Sequence, residues 1–412
     1  MPLRTPQRVL ARLQDAAGPD ASGLRQAFGA LLIASLGGLV AGLTFGAITG
    51  TLEELPGLLV LVPAAIGMRG NIFGALGSRL GTSIHTGTFR LSWRSDTVVG
   101  QNLLAATALS LVISAAIAVL AKALSSAFGV SETISLADFF LISVVGGVLS
   151  SIVVLGFTVG VAGLCVRRDW DMDNVAAPLV TAAGDMVTLP AIFVATLLVG
   201  VGVLSELIVM AGVAVAVVAF LLSWRSRRQL LRRIVRESLP ILVIAGAIDI
   251  VAGLTIEHQL ESFLAYPALL VLIPPFLEET GALGGILSSR LGSKLHLGII
   301  EAKGLPQRAA RDDFVIILLL AVAVFTLVAV SAEAASLIVG YDSPGLLRMM
   351  GATLLGGMIA TAVAVGVAYY GSIASYRLGL DPDNFGLPLL TSSMDLVGTV
   401  ALILALIVVG IA

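Results

Sequence analysis

Charged side chains are scarce. Asp, Glu, Lys and Arg make up 12% of the 412 residues, where an ordinary soluble domain carries about 25%. A water-soluble globule of this size could not cover its surface with so few. Neither sign dominates: 24 basic residues stand against 26 acidic ones, and the formal net charge is −2. That balance gives no surface for nucleic acid. The single cysteine, Cys165, excludes an intramolecular disulfide and a cysteine-based zinc cluster. Three histidines, His85, His258 and His296, are too few and too scattered for a histidine-rich metal centre. The first twenty residues contain arginines but no apolar core of the signal-peptide kind.

What fills the chain is apolar. Hydrophobic types make up 58% of it, and the mean hydropathy is +1.04. Eleven apolar segments approach or exceed the ~20 residues a helix needs to cross a bilayer. They cover roughly 26–49, 57–77, 98–121, 139–164, 177–200, 204–223, 238–256, 267–288, 314–337, 346–370 and 388–411. The pattern predicts an all-α polytopic membrane protein with a polar segment at 1–25. Basic residues cluster before the first segment and between two and three, four and five, six and seven, and eight and nine. Arg225, Arg227, Arg228, Arg232, Arg233 and Arg236 form the densest group, and Lys122 is the main exception. The positive-inside rule then predicts a cytoplasmic amino terminus and an outside carboxyl terminus, with the cell membrane as the location.

The chain is also duplicated. Residues 24–87 align without a gap to 235–298 at an offset of 211, with 24 of 64 positions identical. Ser78-Arg79-Leu80-Gly81 and His85 recur as Ser289-Arg290-Leu291-Gly292 and His296. At an offset of 210, Asp171-x-Asp173-Asn174, Pro178-Leu179-x-Thr181 and Asp185 recur as Asp381-x-Asp383-Asn384, Pro388-Leu389-x-Thr391 and Asp395. Each copy has five segments. Five is odd, so segment six is the extra span that lets both copies face the same way. The expected organisation is a cytoplasmic segment 1–25, a first repeat 26–203, a linker helix with a basic loop 204–237, and a second repeat 238–412. Two parallel five-helix repeats and one linker helix give eleven spans, a pseudo-dimer within one chain.

Two motifs could carry chemistry. The first is Pro63 to Gly74 with its partner Pro274 to Gly285. Proline and clustered glycine are expected to break or kink a spanning helix, as at midplane ion sites. The same glycines, Gly70-x-x-x-Gly74 and Gly281-x-x-x-Gly285, also suit close helix packing. Arg69, Glu278 and Glu279 lie close to these breaks, and the two glutamates have no acidic counterpart in the first copy. The second motif puts Asp185 and Asp395 about eight residues into apolar helices. A carboxylate at that depth costs at least ~2.5–3.5 kcal/mol on insertion scales, and the cost is accepted twice. Two close carboxylates need a proton or cation between them. Thr181 and Thr391, one turn earlier, would add oxygen ligands or hold waters. All-oxygen surroundings suit a hard cation such as magnesium. The alternative is an aspartate paired with arginine or capping a helix. Asp173-Asn174 and Asp383-Asn384 are expected as helix caps, and His85 and His296 as packing or headgroup contacts. Asp249 is an intramembrane acid whose counterpart is Gly38; it is either a coupling-ion site or locally paired.

These motifs resemble the membrane domain of the MgtE-type magnesium transporters and its tandem form in solute carrier family 41. The matching parts are the Pro…Gly-Asn-x-x-Gly stretch, the following Ser-Arg-Leu, and the Pro-Leu-x-Thr-x-x-x-Asp helix, in both halves. The resemblance implies divalent cation transport between two five-helix units, with Asp185 and Asp395 as central ligands and Gly70-Asn71 as part of the path. In the second copy Ala282 replaces the asparagine. The set of expected metal-contacting residues is therefore Asp185, Asp395, Thr181, Thr391, Asn71, Glu278 and Glu279. Magnesium is expected as cargo, with no resident cofactor and no enzymatic activity. The partners are the divalent cation and the lipid bilayer. A sodium- or proton-coupled exchanger, an intramembrane enzyme and a scaffold are the competing readings. No nucleophile with a plausible histidine base favours the enzyme.

Overall fold

A computed structural model describes residues 21–130, 133–168, 172–378 and 386–411. Among these, every regular element is a helix: α1 (Ala21–Ala47), α2 (Thr49–Glu54), α3 (Leu58–His85), α4 (Val98–Ala127), α5 (Leu136–Arg168), α6 (Met172–Thr196), α7 (Val203–Trp224), α8 (Gln229–Glu257), α9 (Leu260–Ala265), α10 (Pro267–His296), α11 (Arg308–Val339), α12 (Leu346–Leu378) and α13 (Leu387–Val409). Ten of them are long and apolar enough to cross a membrane, and α1 carries a shorter apolar stretch, Leu31–Ala47. The chain is a multi-pass membrane protein.

Local chemistry sets the helix ends. Thr97 caps α4 by accepting from the Gly100 N–H at 3.0 Å. At α5 the Ser135 hydroxyl donates to Asp138 at 2.6 Å and accepts from the Asp138 N–H at 3.1 Å, satisfying a first-turn donor. Gly57 enters α3 with φ 86°, a conformation other residues rarely adopt. Its N–H donates to Glu257 at 2.8 Å.

α3 and α10 form the centre; in α10, 78% of the apolar window is buried against protein. α1 packs on α10 as well as on α6, and α8 packs on α3, α4 and α13. The first long helix of each half therefore lies against the second long helix of the other half. Glycine allows both crossings. A Cβ on Gly42 would overlap the Val271 carbonyl, and one on Gly253 would lie 2.6 Å from the Val60 carbonyl oxygen. Both members of one pair stand 211 residues from their counterparts in the other. α7 lies at the periphery, with only 11% of its window buried.

The structure departs from expectation in several places. The proline–glycine motifs do not break their helices: α3 runs on through Pro63 and α10 through Pro274 and Pro275. All three prolines lie past the first turn, so each removes one intrahelical hydrogen bond, a loss these buried, closely packed helices carry without opening. α8 starts at Gln229, inside the stretch assigned to a basic loop, because its arginines continue the helix at good propensity. α1 starts at Ala21, inside the 1–25 segment expected to be polar. The six-residue helices α2 and α9 were not expected; they are too short for an apolar-length criterion. Asp171, Asp381, Asp383 and Asn384 lie outside the described residues, as do the side chains of Asp173 and Asn174.

Candidate functional site

The acids converge between α1, α3, α6, α8, α10 and α13. Asp185 on α6 is 5% exposed, and Asp249 on α8 and Glu279 on α10 are fully buried. Glu278 on α10 is in electrostatic contact with Asp185 and Glu279. Asp395 on α13 shares the Gly67 position with Asp249 and lies within electrostatic range of Asp249 and Asp185. The cluster is thus continuous from Glu279 through Glu278, Asp185 and Asp395 to Asp249. Serines flank its two ends. The Ser35 hydroxyl donates to Glu279, and Ser392 lies beside Asp249.

Two glycines make the room. A Cβ on Gly38 would lie 2.7 Å from a Glu278 oxygen. A Cβ on Gly67 would lie 2.8 Å from an Asp249 oxygen and 3.6 Å from an Asp395 oxygen. No oxygen of Asp249 or Glu278 has a hydrogen bond of ordinary length, although all four are buried; the nearest polar side chains are Ser392 for Asp249 and Asp185 for Glu278. A buried ionised group without a partner is strongly unfavourable, so these oxygens call for a proton or a cation.

Among the described residues no three His, Cys, Asp or Glu side chains are close enough to hold an ion together. The acids are arranged in pairs instead of a cage. Such pairs suit a cation that keeps part of its water shell, as magnesium does.

A polar layer lies about one turn away from the acids. Thr391 donates to the Asn71 side-chain oxygen at 3.2 Å and to the Pro388 carbonyl at 3.1 Å. The Asn71 amide nitrogen has no partner. Thr181 touches the position of a Gly70 Cβ at 3.6 Å through its methyl group. Next to this layer is a cavity of about 10 Å³, lined by residues including Asn71, Arg79, Ser238 and Pro388. It has room for one water. Of the seven expected metal-contacting residues, the four acids form one level and Asn71 with Thr391 the other, while Thr181 lies against Gly70.

Two features escaped the sequence. Asp249 stands with Asp395, a neighbour that only the crossed helix packing provides. Arg69, the nearest cation in the sequence, does not pair with these acids. Its guanidinium turns to α4 and α5, donating to Ser114 at 2.9 Å and Ser150 at 3.2 Å. It lies against Gly147, whose Cβ would overlap it. The histidines make local contacts: His296 with the Gly292 carbonyl at 2.8 Å and the Tyr376 ring, and His258 with the Leu254 carbonyl at 2.7 Å.

A family model described as "MgtE: Divalent cation transporter" matches residues 62–195 and again 273–405. The mouse protein "Solute carrier family 41 member 2" is 24% identical over 381 residues, covering 84% of this chain and 63% of its own length. The rat "Solute carrier family 41 member 3" is 27% identical over 170 residues, covering 39% of this chain and 35% of its own. The chain spans less than two thirds of the length of these curated relatives. No solved structure matches it.

Proposed function

The chain belongs to the MgtE family of divalent cation transporters, and we propose that it carries magnesium across the cell membrane along a path between its two halves, through Asp185 and Asp395. The observation that carries this reading is the set of buried acids from both halves, in which Asp249 and Asp395 oxygens flank the same Gly67 position and several oxygens lack a hydrogen bond of ordinary length. A divalent ion arriving there meets two or more carboxylates, which offset the water it gives up. Asn71 and Thr391 form the next polar level, where a hydrated ion exchanges waters. Transport, and not catalysis, fits this site: it offers charge and oxygen atoms but no activated nucleophile.

In this reading the organisation is two parallel five-helix repeats, 26–203 and 238–412. They are joined by the 204–237 linker, and α1 is the eleventh span. The duplicated family match supports it, as does the peripheral α7. The amino terminus lies in the cytoplasm and the carboxyl terminus outside.

The test is magnesium uptake into proteoliposomes holding the purified chain, with and without a sodium or proton gradient. Asp185→Asn or Asp395→Asn keeps the size and removes the charge. Each is expected to cut uptake by roughly tenfold or more, and the double variant to abolish it nearly. Wild-type uptake in a folded double variant would move the path elsewhere. Gradient-independent uptake would exclude coupled exchange.

A further inference from the structure

Two departures from the internal repeat compensate for each other in space. At the offset of 211, Gly38 corresponds to Asp249 and Gly67 corresponds to Glu278. Along the sequence these look like two unrelated losses of symmetry. In the fold they are one exchange. Gly38 faces Glu278 where α1 crosses α10, and Gly67 faces Asp249 where α8 crosses α3. The two crossings are counterparts. Each holds one acid and one glycine, and the acid sits on the first long helix of its half in one case and on the second in the other. The clearances agree, at 2.7 and 2.8 Å from the missing Cβ to the carboxyl oxygen. Each acid is the neighbour of the conserved-in-repeat aspartate: Glu278 of Asp185, and Asp249 of Asp395. Asp249 is fully buried, and neither oxygen holds a hydrogen bond of ordinary length although Ser392 lies beside it. An acid retained there only for structure would be expected to hold a donor.

We infer that the chain carries two equivalent dicarboxyl cation sites, Asp185 with Glu278 and Asp395 with Asp249, in which the second acid has been exchanged between crossing helices. The inference rests on the transport reading above and gives it a second site. Each pair supplies two negative charges, which is what a divalent ion needs. Glycine is required opposite each acid because a side chain would occupy the space of the carboxyl group. The location of the carboxyl is what matters, and the helix that bears it can be either.

That equivalence is testable by moving the acid. Asp249→Gly removes one member of the second pair, and adding Gly67→Glu gives that crossing the arrangement of the first. Magnesium binding is measured by equilibrium dialysis of the purified full chain, and magnesium uptake in proteoliposomes. Asp249→Gly is expected to lower binding from about two ions per chain to about one and uptake by about tenfold. D249G/G67E is expected to recover uptake to within about threefold of wild type. Wild-type binding in Asp249→Gly, or a folded double variant as impaired as the single one, would overturn the inference. If D249G/G67E fails to fold, Asp249→Asn and Glu278→Gln decide: each is expected to lower binding by about one ion per chain, and wild-type binding in either would overturn the inference. A wild-type chain that moves no magnesium would instead sink the transport reading, so the two failures are distinguishable.

Discussion

Arg69 is the residue whose surroundings differ most from what its type implies. A buried guanidinium usually faces a carboxylate, and five acids lie within two helices of it. It is held instead by the Ser114 and Ser150 hydroxyls, with Nη1 unpartnered. The second half fills the corresponding slot without charge. Thr280, Phe325 and Gly357 stand for Arg69, Ser114 and Gly147, and a Cβ on Gly357 would overlap the Phe325 ring. Phe325 packs there on Phe276, with ring centroids 5.1 Å apart. The fold therefore tolerates an apolar filling at this place. Replacing a buried ionic group by an apolar one of similar volume is often neutral or stabilising, whereas removing only its partners strands the charge. Arg69→Met is thus expected to leave the melting temperature in detergent unchanged or higher. S114A/S150A is expected to lose about 3–6 kcal/mol, from two hydrogen bonds to a charged group worth about 1.5–3 kcal/mol each. A melting temperature that falls more in Arg69→Met than in S114A/S150A would show that the guanidinium has further partners.

At the scale of helices, the two crossings carry the packing. Gly42 and Gly253 let α1 and α8 reach the backbones of α10 and α3, an approach no side chain permits. Gly42→Val and Gly253→Val should each force their crossing apart, a cost of at least the ~1–3 kcal/mol typical of overpacking, and should lower the yield of monodisperse protein on size exclusion. Gly74→Val serves as the control, because nothing stands within 4 Å of a Cβ there. Equal losses in all three variants would deny the crossings their special role. The helices themselves were legible in the sequence, since apolar length alone locates a span. The acids at 185 and 395 were legible from depth and recurrence. What was not legible was partnership. The neighbour of Asp249 depends on which half α8 packs against, and periodicity along one helix carries no record of that. The expected breaks at Pro63 and Pro274 failed for a related reason: composition marks a place where a helix can open, and burial among neighbouring helices decides whether it does.

Across the whole molecule, the proposed topology rests on loop charge. Arg232, Arg233 and Arg236 line a surface groove of about 400 Å³ together with Gln229 and Glu237, and Arg236 stacks on Trp224 with its guanidinium carbon 5.2 Å from the ring centroid. The positive-inside rule assigns such a cluster to the cytoplasmic side. Lys122, the exception to the charge bias, is tied down by Thr133 and the Ile134 carbonyl at 2.8 and 3.1 Å. Glu333 makes the corresponding tether to Ser343 in the other half, so the position serves to anchor a loop whatever its sign. Single cysteines introduced after replacing Cys165 test the arrangement: a label at 227 should need lysed cells, and a label at the carboxyl terminus should react in intact ones. The reverse pattern would invert the orientation, and both labels on one side would refute the parallel halves. The exchanged first helices also restrict how such a molecule can move. A hinge cannot follow the boundary between residues 203 and 238, because parting the halves there would tear α1 from α10 and α8 from α3 together. Any motion that opens the path to one side must carry each of these helices with its adopted neighbour, so the moving bodies are mosaics of both halves.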